Sequence, residues 1–228
     1  MPIQVQGYSG VVAEVDGTLF RAQRITSRPS DYGALGHYQL AKVTGTLPAA
    51  LAAGAVVFSF RWTDATRLAV LYRLKVSFQT LTTFTAGTLT DFGFDAYVGR
   101  SFSASHTGGS AATLTGNSFK TRTSMATTLV GDIRIATTAA LAGGTLTVDG
   151  DAFAQSIGKP NDSNPAGGTE KQRVNDPALL YQPDVGSGHH PLVFASNEGF
   201  VVRNRTVWPA AGTGVVSVEC MWAEVTAY

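Results

Sequence analysis

The chain has one cysteine, Cys220, among its 228 residues. That excludes an intramolecular disulfide and any paired-cysteine metal spacing. Cys220 lies in the apolar run GVVSVECMWAEV, which predicts a buried, space-filling role. A reactive thiol needs an electropositive, partly exposed setting, and this run offers none. Charge is scarce too. Lys plus Arg number 17 and Asp plus Glu 16, giving a net charge of +1, and charged residues are 14% of the chain, against about 25% in an average soluble domain. No run of Lys or Arg occurs, so the electrostatic footprint of a nucleic-acid binder is missing and no nucleic-acid partner is expected. Long hydrophobic runs are also lacking. The longest candidate, ALAAGAVVFSF, falls well short of the ~20 residues that cross a bilayer as a helix, so no membrane partner is expected. The opening MPIQVQGYSGVV has no basic stretch ahead of an apolar core, so no secretory signal is expected.

What remains is a chain surfaced by Thr, Ser, Gly, Ala, Asn and Gln. Such a surface repels neighbours weakly and steers charged ligands poorly, which suits a protein packed against others. The dominant pattern is short β-type runs between turn residues. The clearest is RLAVLYRLKVSFQTL, residues 67–81. Period two places Val70, Tyr72, Leu74, Val76 and Phe78 on one face, and Leu71, Arg73, Lys75, Ser77 and Gln79 on the other. Further strands are expected at 8–15, 18–26, 37–45, 55–63, 92–99, 132–138, 144–150, 190–196, 199–208 and 214–228. The turn VDGT carries a hairpin signal, and ASNEGFVV is expected to turn with Gly199 at positive φ. LPAALAAG, residues 47–54, is the best helix candidate, and reads equally as a loop before the next strand. Roughly ten to twelve strands with little helix predict an all-β fold, a jelly-roll-like β-sandwich in a single β domain over residues 1–228.

One segment breaks the rhythm. Residues 157–191 are rich in Pro, Gly, Asn and Asp and read as an extended surface loop or arm, functional by its length. Its apolar patch Leu179, Leu180 and Tyr181 is a candidate for docking on a neighbouring subunit. Residues 101–125 read as a loop with weak or edge strands.

Candidate chemistry is thin. His189 and His190 are adjacent, so an extended chain points them to opposite sides and one metal cannot readily take both. His37 and His106 are isolated. Neither a GxSxG turn nor a phosphate-loop pattern occurs, and TGGSAAT and AGGT read as turns. Asp149 and Asp151 read as an Asp-Gly turn between strands, not a calcium loop. No catalytic, metal or cofactor residues are assigned, and no cofactor is expected. Trp62, Trp208 and Trp222 read as core or interface anchors, a glycan platform being the rival. Arg61 and Asp64 flank Trp62 and form an ion pair or a subunit contact in this reading.

The stretches IQVQGYSGVVAEVDGTLFRAQRITSRP, FSFRWTDATRLAV, KTRTSM and HPLVFASNEGFVVRNRTVWPAAGTGVVSVECMWAEVTAY together resemble tailed-bacteriophage virion structural proteins found near head genes. The resemblance covers most of the chain and carries no catalytic motif. It implies a non-enzymatic virion component assembled in the host cytoplasm, most simply a capsid decoration or cement protein. Its partners would be the major capsid protein or other virion proteins, with homo-oligomers, a trimer in the simplest case. The contact residues expected are Arg61, Trp62, Asp64, Leu179, Leu180, Tyr181, His189, His190, Arg203, Arg205 and Trp208. His189 and His190 would make assembly pH-sensitive. The alternatives are a tail or fibre component binding host glycan through exposed tryptophans, and a glycan-acting hydrolase with two carboxylates about 5–10 Å apart.

Overall fold

A computed structural model describes residues 5–6, 12–13, 36–84, 92–156, 178–184 and 190–226. The chain divides into two compact units, Met1–Asp31 and Tyr32–Tyr228. In the first, β1 (Val5–Gln6) pairs antiparallel with β2 (Val12–Ala13). The rest of the strands expected at 8–15 and 18–26 lies outside the described residues, as does most of the 157–191 segment.

The second unit is an all-β sandwich of two antiparallel sheets, with no helix among the described residues. Its main strands are β3 (Gly36–Val43), β4 (Val56–Trp62), β5 (Leu68–Thr82), β6 (Phe94–Thr107), β8 (Val130–Ile135), β9 (Ala142–Val148), β13 (Glu198–Asn204) and β14 (Thr213–Val225). Short strands complete the sheets: β7 (Ser110–Ala111), β10 (Ala154–Gln155), β11 (Ala178–Tyr181) and β12 (Leu192–Phe194). One sheet runs β11-β5-β14-β3, with β12 also on β5. The other runs β10-β6-β13-β4-β8-β7, with β9 also on β6.

This order is jelly-roll-like, with one departure. A jelly roll of eight strands pairs first-eighth-third-sixth in one sheet and second-seventh-fourth-fifth in the other. Taking β3, β4, β5, β6, β8, β11 with β12, β13 and β14 as the eight, the smaller sheet follows that order. In the larger sheet β13 lies between β4 and β6 as required, but β8 pairs with β4 instead of β6.

The departure has a local cause. At Ser101, a non-glycine residue at φ 49°, β6 leaves the plane of its sheet. Its second half then passes over the sheet's outer face. Arg61, on the outward side of β4, donates to the carbonyls of Phe102 (2.6 Å) and Ser103 (2.6 Å). Arg134, on the outward side of β8, donates to the carbonyl of Gly108 (3.2 Å). The chain therefore arrives at the far edge as β7, beside β8. The free edge of β6 is taken by β9 and β10.

The core lies between the sheets. Tyr38, Leu40, Leu74, Val76, Phe78, Val216, Val218, Cys220 and Trp222 meet Phe58, Phe60, Phe94, Val98, Ile133, Ile135, Phe200 and Val202. Aromatic pairs cross the gap, including Phe60 with Trp222 at 5.4 Å and Phe78 with Phe94 at 6.0 Å. Cys220 is fully buried, and burial pushes its thiol well above the ordinary range, as befits an inert space-filler.

The alternation expected along β5 holds only in part. The register against β14 slips between Met221 and Trp222, which face Arg73 and Leu71. Tyr72 is the extra residue of a bulge, and a bulge reverses which side chains face inward. Ala69 and Leu71 therefore join Leu74, Val76 and Phe78 in the core. Val70 and Tyr72 face outward with Ala223 and Val225 in a second small buried cluster.

Residues 47–54 form turns, not a helix. Their amides are spent on other segments: Leu47 on the Gly214 carbonyl, Ala50 on Pro209 and Gly54 on Asn204. In ASNEGFVV the left-handed residue is Asn197 (φ 60°), not Gly199. Gly199 is needed for close approach, since a Cβ there would lie 2.0 Å from the Phe60 carbonyl oxygen.

Candidate interaction surface

Most of the contact residues nominated by sequence are spent inside the molecule. Trp62 and Trp208 are 0% and 2% exposed. Trp62 donates through Nε1 to the Arg67 carbonyl (2.9 Å), and Trp208 to Asn204 Oδ1 (2.8 Å). Neither side chain has surface to offer a partner, so their role as interface anchors is overturned and the core role stands. Trp222 is buried as well. The glycan platform of exposed tryptophans is therefore absent.

Arg61 and Asp64 do not pair with each other. Arg61 is committed to the crossing half of β6 and also reaches Ser105 Oγ (3.2 Å) and stacks on the Phe102 ring (5.9 Å). Asp64 accepts from the amides of Thr66 and Arg67 (both 2.9 Å) and ties its own turn. Those bonds, the Thr66 amide first, hold its carboxyl below the usual range.

The apolar patch of the arm docks on its own chain. Leu179 to Tyr181 belong to β11, which extends the smaller sheet beside β5. Leu180 and Tyr181 pack against the core, and the Tyr181 hydroxyl accepts from the Leu192 amide (2.7 Å). Leu179 alone of the three points outward, 53% exposed. His189 lies outside the described residues. His190 is exposed, with Nδ1 2.7 Å from the Pro191 carbonyl.

Arg205 forms a largely buried, two-oxygen ion pair with Asp95 (Nε to Oδ1 3.0 Å, to Oδ2 3.1 Å). Arg203 lies over the Tyr97 ring at 5.5 Å, and burial lowers the basicity of its guanidinium. The acids are tied in the same way. Arg100 bridges Asp149 (3.3 Å) and Glu198 (2.7 Å), and Arg134 holds Asp132 (2.8 Å). Among the described residues no group of three His, Cys, Asp or Glu side chains is placed to hold a metal. No helix there is long and apolar enough to cross a membrane.

Two buried polar groups escaped the sequence reading. Glu224, on the inward side of β14, is 1% exposed. It accepts from the Thr128 hydroxyl, the Leu129 amide (3.0 Å) and Trp222 Nε1 (3.3 Å), tying the segment before β8 to the smaller sheet. Burial raises its carboxyl above the usual range, more than these three donors lower it. The same carboxylate, after burial, helps push the Tyr38 phenol up to about 12. His106, on the crossing half of β6, is 3% exposed. Its ring meets the Phe102 edge at 5.5 Å, and its Nδ1 has no hydrogen-bond partner. Burial first, then the positive charge of Arg203, lowers its basicity.

On the outer face of the smaller sheet Val70, Tyr72, Ala223 and Val225 are buried, and the part that stays open lies beyond them along the strands. Ala41 and Val43 point outward from β3, Ser217 and Glu219 from β14, Lys75 and Ser77 from β5, and Leu179 from β11. Val43 and Leu179 are more than half exposed. Period two in the sequence already placed Lys75, Ser77 and Gln79 on one side of β5. Seeing it as one row of a four-strand surface requires the strand order. Comparison with family models, curated proteins and solved structures finds no match for this chain, so the β-sandwich class rests on its own geometry.

Proposed function

We propose that the chain is a virion structural component of a tailed phage, a decoration or cement protein that seats on the head as a homo-oligomer. The observation that carries the reading is how the polar groups are spent. Among the described residues half of the arginines and most of the acids are held by bonds within the chain, and the tryptophans are buried. What is left outside is a weakly charged surface of Thr, Ser, Gly and small apolar residues. Such a surface gains by burial against a neighbour and has little else to offer. The resemblance carried by the opening and closing stretches points the same way. Contact with the capsid runs through the edge of the sandwich formed by β10 and β11, between which the 157–177 stretch runs. Weak single contacts repeated over a shell add up by multivalency.

The test mixes the purified chain with tailless heads of the phage that encodes it, followed by sedimentation and cryo-electron microscopy. Density on the outer shell is expected. Binding only to tails, or none, overturns the reading, and binding unchanged by deletion of residues 157–177 overturns the contact assignment.

A further inference from the structure

The outward face of the smaller sheet is self-complementary. On adjacent strands Lys75 stands directly opposite Glu219, and Ser77 opposite Ser217. Outside them, Leu179 pairs with Lys75 and Ala41 with Glu219. The row across the face therefore reads Leu179, Lys75, Glu219, Ala41. A twofold axis parallel to the strands, running between β5 and β14, reverses this row. Each Lys75 then lies over the Glu219 of a second copy, each Leu179 over a small Ala41, and Ser77 over Ser217. Charge meets opposite charge twice, and an exposed leucine meets a small alanine.

We propose that this face pairs with the same face of a second copy of the chain about that axis. A twofold contact is isologous, so one surface has to satisfy itself, and this arrangement does. Its size sets its strength. Four strands at about 4.8 Å spacing, over the four residues of β11 to the eight of β3 at about 3.3 Å each, span roughly 250 to 500 Å² per copy. That is below the roughly 800 Å² per partner of a stable complex, so the pair is weak, in the micromolar range. The proposal stands apart from the head-binding reading, since it concerns the isolated chain.

Sedimentation equilibrium of the full chain, from about 1 to 300 µM, reads it directly. The expected result is a monomer passing to a dimer. Lys75→Glu and Glu219→Lys each weaken the pair at least about tenfold, and the double reversal recovers most of the affinity. Leu179→Asp, at a side chain that is more than half exposed, gives a comparable loss and serves if a reversal variant fails to fold. A monomer at all concentrations, a trimer, single variants that associate like the parent, or a double reversal without recovery each overturns the proposal.

Discussion

At the scale of the residue, His106 and Glu224 give the stability of this protein opposite responses to pH. His106 is buried, its ring less basic than a free imidazole, and it faces Arg203, Arg134 and Asp132. A base whose folded form resists protonation is fully stabilising above pH 6.5 and loses that stability as pH falls below it. The loss is at most about 1.4 kcal/mol per pH unit. Glu224 works the other way. Its carboxyl is raised above 4.5, so its share of stability is present below that pH and is lost as pH rises. Thermal melts of the parent and of His106→Phe across about pH 5 to 7.5 separate the two. The variant keeps the ring contact with Phe102 and loses part of the acid-side decline. His37, lowered by its own burial and by Arg73, adds a decline of the same sign. An unchanged decline would show that His106 carries none of it.

At the scale of the element, the crossing half of β6 is the most informative feature. It is held by two arginines, and Ser59 and Val201, which point to the same outward side of the sheet, are 2% and 0% exposed. Removing a charged donor from several acceptors costs about 1–3 kcal/mol. Arg61→Ala is expected to cost at the upper end, since it frees the carbonyls of Phe102 and Ser103 together. Arg134→Ala is expected to cost less. Amide exchange localises the effect: protection falls over residues 102–107 in both variants and stays unchanged in β14. A uniform fall across both sheets would mean that the crossing segment is not a separate unit of stability.

At the scale of the whole molecule, the aromatic residues join the two sheets into one core. All three tryptophans are 2% exposed or less, and they come from three different strands or loops. Tryptophan fluorescence of the native chain is therefore expected to be blue-shifted and nearly inaccessible to iodide, with both signs of burial lost in a single transition on unfolding. Ready quenching by iodide in the native state would contradict the placement of Trp62, Trp208 and Trp222. Because no tryptophan is at the surface, added glycans should leave the emission unchanged.

The fold class was legible because strand signals are local. Alternation in β3, β5 and β14, β-branched residues in β4 and β13, and turn residues between them set those strands within a few residues, whereas β6, expected at 92–99, runs on to Thr107. The burial of Cys220 followed from its neighbours along the chain. The site was much less legible. Arg61, Arg205 and Trp208 look in sequence like polar and aromatic residues free to meet a partner, and only packing reveals that their bonds are spent at home. The 178–181 patch looked like part of an arm because its partner, β5, lies about a hundred residues earlier.

By itself the sequence determined that this is a β protein with a weakly charged exterior and no disulfide, since composition and periodicity act over a few residues at a time. Only the tertiary structure decided which strand lies beside which, and with it which side chains share a face. The bulge at Tyr72 reversed an alternation that the sequence shows unbroken. The crossing of β6 left β8 beside β4, with β7 at the far edge of the sheet. The row Leu179, Lys75, Glu219, Ala41 is drawn from four separate stretches of chain. Contacts between residues far apart in sequence leave no periodic signal, and the energies that select them belong to the packed sheets as a whole.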